Sequence, residues 1–157
     1  MNSGTVKVFV DADACPNQIK DLIVRAVHRL QVQTFFVANK QILLPESPFL
    51  SSVQVSLGPD VADAYIETHA RSGDLVVTQD VPLAGLLVPR GITVISPRGH
   101  LWTEENINEA KATRDLMETL RDSGTVSGGP RPFDERLKRE FARHFDAALQ
   151  RLHKPKE

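Results

Sequence analysis

Residues 6–16 read Val6-Lys7-Val8-Phe9-Val10-Asp11-Ala12-Asp13-Ala14-Cys15-Pro16, and this stretch decides the fold. Val6 to Val10 is a short run rich in β-branched side chains, the composition of a strand buried on both faces. Two carboxylates, Asp11 and Asp13, follow it. Pro16 suits the first turn of a helix, where its missing N–H costs nothing. From Asn17 to Leu30 the residues Ile19, Leu22, Ile23, Ala26, Val27 and Leu30 recur at helical spacing. The result is a strand, an acidic loop and a helix, the unit from which parallel α/β sheets are built.

Outward from this unit the alternation continues. Gln33 to Ala38 reads as a second buried strand, Pro45 to Ser52 as an irregular connection, and Val53 to Leu57 as a shorter strand of alternating pattern. Gly58-Pro59-Asp60 punctuates the chain before a helix from Val61 to Arg71, on which Ala62, Tyr65, Ile66, His69 and Ala70 share a face. Asp74 to Thr78 is a further buried strand, Val81 to Leu87 a helix, and Ile92 to Ile95 a last strand. The expected class is α/β, with a mostly parallel central sheet and helices on both faces.

Two longer helices follow. One runs from Glu104 to Arg121, with Thr103 as N-cap and Ser123-Gly124 as its stop. The other runs from about Asp134 to Leu152, where Phe133, Leu137, Phe141, Phe145 and Leu149 recur every four residues, the stripe of a helix docked on a core. Residues 1–157 therefore read as one domain, with the helices of about 104–152 packed on it.

Nineteen Lys and Arg against twenty Asp and Glu give a net charge of -1, which excludes a protein that coats nucleic acid or membrane by bulk charge. The charge is uneven: residues 131–157 hold eight Lys/Arg and five Asp/Glu, a net of +3, leaving -4 for residues 1–130. A lone cysteine, Cys15, excludes a disulfide framework and a Cys-rich zinc site, and suits a packing role. No apolar run reaches membrane-helix length and no leader pattern opens the chain, so no membrane partner and a cytoplasmic location are expected.

In open parallel sheets, ligands bind outside the carboxyl ends of the strands. Asp11 and Asp13 follow the first strand, Asn39 the second and Asp80 the fourth, with Thr78 at that strand's end. Asp60 and Asp63 open the helix before the fourth strand. Several carboxylates thus gather on one rim, a costly arrangement unless a cation compensates it. Oxygen ligands without Cys or paired His favour Mg²⁺ or Mn²⁺. Plainer roles exist for some of these acids: Asp60 and Asp13 as helix caps, and Asp63 as an acid in a first helical turn. Asp11 and Asp80 end apolar strands, where turn chemistry does not ask for a carboxylate. The five histidines are scattered without ligand spacing, and Arg98, in Ser96-Pro97-Arg98-Gly99-His100, is either a phosphate anchor or part of a simple turn.

Three of these features, the strand ending in Asp11, the Asp63-Ala64-Tyr65-Ile66 helix start and the Thr78-Gln79-Asp80 strand end seventeen residues beyond Asp63, resemble the acidic motifs of PIN-like nuclease domains. VDADACP, GPDVADAYI, GDLVVTQDVPLA, SPRG, RDLMETLRDSG and GGPRPF together look like the bacterial YaiI/YqxD family over nearly the whole chain. The resemblance implies a PIN-like three-layer sandwich and a Mg²⁺- or Mn²⁺-dependent hydrolase acting on RNA. Asp11, Asp63, Asp80 and Asp60 would hold the metal, with Asp11, Asp13, Asp63 and Asp80 forming the catalytic set. Asn39, Thr78, Arg98 and Arg114 would serve the substrate. Two alternatives stand beside it: a haloacid-dehalogenase-like phosphatase using Asp11 as nucleophile, and a non-catalytic module that binds RNA or protein.

Overall fold

Lys7–Asp11 forms β1, the central strand of a five-stranded sheet in the computed structural model, which describes residues 6–58, 60–122 and 135–152, the side chains of 114–122 excepted. A short 3-10 turn, Ala12–Ala14, leads to α1 (Asn17–Leu30). The N-cap of α1 is Pro16, so Asp13 does not cap this helix. The chain continues through β2 (Gln33–Ala38), β3 (Leu50–Gln54), α2 (Val61–His69), β4 (Leu75–Val77), α3 (Val81–Leu87), β5 (Thr93–Ile95), α4 (Glu104–Asp122) and α5 (Glu135–Leu152).

The strand order is β3-β2-β1-β4-β5, and every pairing between these strands is parallel. Winding runs outward from β1 to β2 and β3, then crosses to β4 and β5 on the other side. The crevice at the carboxyl ends of β1 and β4 is therefore the topological switch point, the usual place for a ligand in open α/β sheets.

Side chains alternate across each strand, and this alternation divides the interior in two. Val8, Val10 and Phe36 face α1 and α5, packing with Ile19, Ile23, Phe141, Phe145 and Leu149. Phe9, Val76 and Val94 face the other way, against Ile66, Leu83, Leu87 and Ile107 of α2, α3 and α4. Three layers result. The stripe on α5 is buried at Phe141, Phe145 and Leu149, as its spacing predicts, and half-buried at Leu137, while Phe133 and the Ser123-Gly124 stop lie outside the described residues. Thr103 does cap α4: its Oγ accepts from the Asn106 N–H at 3.2 Å, and the Asn106 side chain accepts from the Thr103 N–H at 2.8 Å.

Two expectations shift. The third strand begins at Leu50, three residues before the position its alternation suggests. Its register is set by tertiary pairing, with Thr34 N–H donating to Phe49 O at 2.8 Å and Val55 N–H to Ala38 O at 2.8 Å. As a sheet edge it tolerates Ser51 and Ser52, which local propensity counts against a strand. α2 ends at His69 and not at Arg71; of its expected face Ile66 and Ala70 are fully buried, Ala62 and Tyr65 half-buried and His69 exposed, so the face is apolar up to His69.

Asp74 anchors the opposite end of the sheet. Buried at the start of β4, its carboxylate accepts from the Lys7 N–H at 3.1 Å and the Arg71 N–H at 2.8 Å. Burial nevertheless holds its pKa above the ordinary value, outweighing the hydrogen bonds that lower it.

Candidate metal centre

Asp11, Asp13, Asp60, Asp63 and Asp80 all line one cavity of about 230 Å³ at the carboxyl ends of the strands, together with Asn39 and Ser56. A cavity this small suits an ion and a phosphoryl group better than a drug-sized organic ligand. Among its lining residues are no Lys, Arg, His or Cys. Cys15 is buried elsewhere with its thiol pushed up to about 12, chiefly by burial, so its role is packing.

Each acid reaches the rim by its own local device. Asp11 ends β1, is buried, and receives a hydrogen bond at 3.0 Å from the Thr78 hydroxyl. The same hydroxyl accepts the Asp80 N–H at 3.1 Å. Thr78 thus ties the ends of two neighbouring strands together, and at 1% exposure it works through the carboxylates around it. Asp13 stands on the 3-10 turn and accepts the Asn39 N–H at 2.9 Å, which links the ends of β1 and β2.

Asp60 precedes α2 with a left-handed backbone, φ 66°, and makes no side-chain cap hydrogen bond. Its plainer reading as a cap is corrected: a left-handed residue aims its side chain away from the first-turn N–H groups that a capping oxygen would accept from. Asp63 lies one turn further along the helix. Asp80, by contrast, is a cap, accepting the Leu83 N–H at 2.8 Å with Oδ1. That role corrects the premise that turn chemistry asks for no carboxylate there.

Asp60, Asp63 and Asp80 each bring an oxygen within 4.8 Å of the others, so these three can share one ion. Asp11 stands beside them and feels the charge of Asp13 and Asp80. Asp63 is pushed up to about 7, first by burial, then by sharing a hydrogen bond with Asp80 and by the charges of Asp80, Asp11 and Asp60. Burial, and then the carboxylates around it, let Asp63 hold a proton up to near neutrality. Asp11 is also raised, mainly by burial, with the Thr78 hydrogen bond opposing.

Arg98 is not among the cavity's lining residues. Its stretch forms a tight turn in which Ser96 Oγ accepts the N–H groups of Arg98 and His100 at 3.2 and 3.1 Å. The Arg114 side chain lies outside the described residues. Ser56 also lines the cavity, a place that sequence pattern alone does not assign to it. It lies just beyond the end of β3 at Gln54, whereas the alternating pattern from Val53 to Leu57 places it inside a strand.

A parallel α/β sandwich with an all-oxygen acidic cluster at its switch point is the class that fold and site define. The chain belongs to the family described as "Uncharacterized BCR, YaiI/YqxD family", whose profile matches residues 9–151. A "UPF0178 protein" of Syntrophobacter fumaroxidans is 48% identical over 149 residues, covering 95% of this chain and 97% of that protein. One from Myxococcus xanthus is 49% identical over 147 residues, covering 94% and 96%. No solved structure matches the chain significantly. Among the described residues no helix is long and apolar enough to cross a membrane.

Proposed function

We propose that this protein is a PIN-like, metal-dependent phosphodiesterase that acts on RNA. The observation that carries the reading is the approach of Asp60, Asp63 and Asp80 oxygens to within 4.8 Å of one another at the switch point. The donor set fits Mg²⁺ or Mn²⁺: its side chains are carboxylates with nearby amide and hydroxyl oxygens, the ligands hard cations prefer. Asp60, Asp63 and Asp80 would hold the ion, with Asp11 completing the set. When bound, such an ion neutralises phosphate charge and makes water a better nucleophile at neutral pH.

The chain's own residues supply the rest. Thr78 fixes the Asp11 carboxylate and the Asp80 backbone in one orientation. Asp13, held by the Asn39 N–H and exposed to solvent, is placed to accept a proton from an attacking water. Asp63 releases its proton when a cation takes over the task of offsetting its neighbours. The absence of any cation among the cavity's lining residues weighs against the phosphatase alternative, in which Asp11 would carry a phosphoryl group.

Purified protein is to be assayed with Mn²⁺ on single-stranded and structured RNAs, beside Asp11→Asn and Asp80→Asn. Metal-dependent cleavage lost in both variants is the expected result. Cleavage that survives both would remove the reaction from this cluster, and metal binding without cleavage of any substrate would leave a binding module.

A further inference from the structure

Two larger cavities, about 710 and 700 Å³, flank α1 on either side, and Arg25 lines both. One is closed by the 40–45 segment and the other by α5. We propose that these two clefts, which meet at Arg25, form one groove, the track on which the backbone of a single-stranded nucleic acid is led to the acidic cluster, an inference that rests on the phosphodiesterase reading.

Charge is the first argument. The groove is lined by Lys20, Arg25, Arg29, Lys40, Arg139 and Arg143 against only Asp21 and Asp146. The whole chain is net -1, so this excess is local. Arg29 is paired with Asp146 and Arg143 with Glu140, whereas Lys20, Arg25, Lys40 and Arg139 have no ion pair among the described residues. Unneutralised cations along a concave surface attract a polyanion and release its counterions on contact.

Position is the second. Lys40 directly follows Asn39, whose N–H holds Asp13 on the acidic rim, so one end of the track opens beside the proposed reaction centre. From Lys20 to Arg29 the helix spans about 14 Å, enough for several nucleotides. The 40–45 wall, across from Lys20 and Arg25, carries Leu43, 95% exposed, and the half-buried Leu44, while Ile42 belongs to the core. A single strand turns phosphates to one side and bases to the other and so covers both walls. A duplex hides its base faces and would leave Leu43 in water.

The test measures binding apart from hydrolysis. Anisotropy of a labelled twelve-nucleotide oligouridylate is followed in EDTA against salt concentration. Four phosphate contacts on a single strand predict a slope of log affinity against log salt near about -2.8. The surface variant Lys20→Gln/Arg25→Gln/Arg139→Gln, its fold checked by circular dichroism, should bind at least about tenfold more weakly with a slope shallower by about 2. Lys111→Gln, on α4 in the opposite layer, should bind as the wild type does. Equal affinity and slope in the triple variant overturn the track, as does a wild type that does not bind, or one that binds polyglutamate of equal length as tightly. Mn²⁺-dependent hydrolysis of bis(4-nitrophenyl) phosphate, too small to need the groove, should be the same in triple variant and wild type. If neither protein hydrolyses it, the phosphodiesterase reading fails while the anisotropy still decides the track.

Discussion

Thr78 joins the two halves of the acidic cluster: its hydroxyl donates to Asp11 and accepts from the Asp80 backbone, so the acid of β1 and the acid after β4 are positioned by one buried atom. Asp60 shows a different economy. It adopts φ 66° without using its side chain as a cap, a conformation that glycine accepts without strain. Asp60→Gly should therefore leave the thermal midpoint within a few degrees of wild type while lowering Mn²⁺ affinity at least about tenfold. Unchanged affinity in a calorimetric titration would take Asp60 out of the ligand set. At this scale the sequence disclosed which carboxylates gather on one rim, because Asp11, Asp13 and Asp80 follow apolar strands and Asp60 and Asp63 open the helix between them. It did not disclose that Asp80 also caps α3 or that Thr78 faces Asp11, since both depend on partners brought close only by folding.

The elements explain why the Ser96-Pro97-Arg98-Gly99-His100 turn takes its shape. Gly99 has φ +86°, and a Cβ there would sit 2.8 Å from the α5 backbone at Glu140 and Phe141. Its carbonyl also accepts from His144 Nδ1 at 2.7 Å. The turn thus docks α5 through backbone, and a side chain at 99 would wedge them apart. Gly99→Ala should destabilise the fold by about 1–3 kcal/mol, from overpacking and a strained φ together, read as a lowered urea midpoint. A midpoint equal to wild type would show that α5 yields without cost. The helices were legible because apolar spacing dictates them. The start of β3 was not, because an edge strand is fixed by its neighbour's hydrogen bonds and not by its own composition.

Across the whole molecule, the crowded carboxylates make stability depend on pH and on cation. Without a divalent ion the folded state keeps the Asp63 proton up to about 7, whereas the unfolded chain loses it near the ordinary carboxylate value. Between these limits the folded state binds more protons, so stability falls as pH rises and levels off above about 7. Asp11 and Asp74, also raised, act in the same direction. In EDTA the denaturation midpoint should be higher at pH 5 than at pH 8, with a smaller difference in Asp63→Asn. Mn²⁺ should raise the midpoint more at pH 8, where it meets no competing proton. A midpoint in EDTA that is flat from pH 5 to 8, or that rises, would contradict this account. Strand order, and with it the switch point that gathers the acids, was beyond reach of local sequence pattern, which records periodicity and not which strands become neighbours.

The most direct measurement is calorimetric titration of Mn²⁺ into the protein at pH 7 in two buffers of different ionisation enthalpy. The account predicts one saturable site, release of part of a proton because burial and its neighbours hold the Asp63 pKa up to about 7, and loss of that release together with most of the affinity in Asp63→Asn. No saturable binding, or binding that Asp63→Asn leaves intact, would contradict the assignment of a metal centre to this cluster.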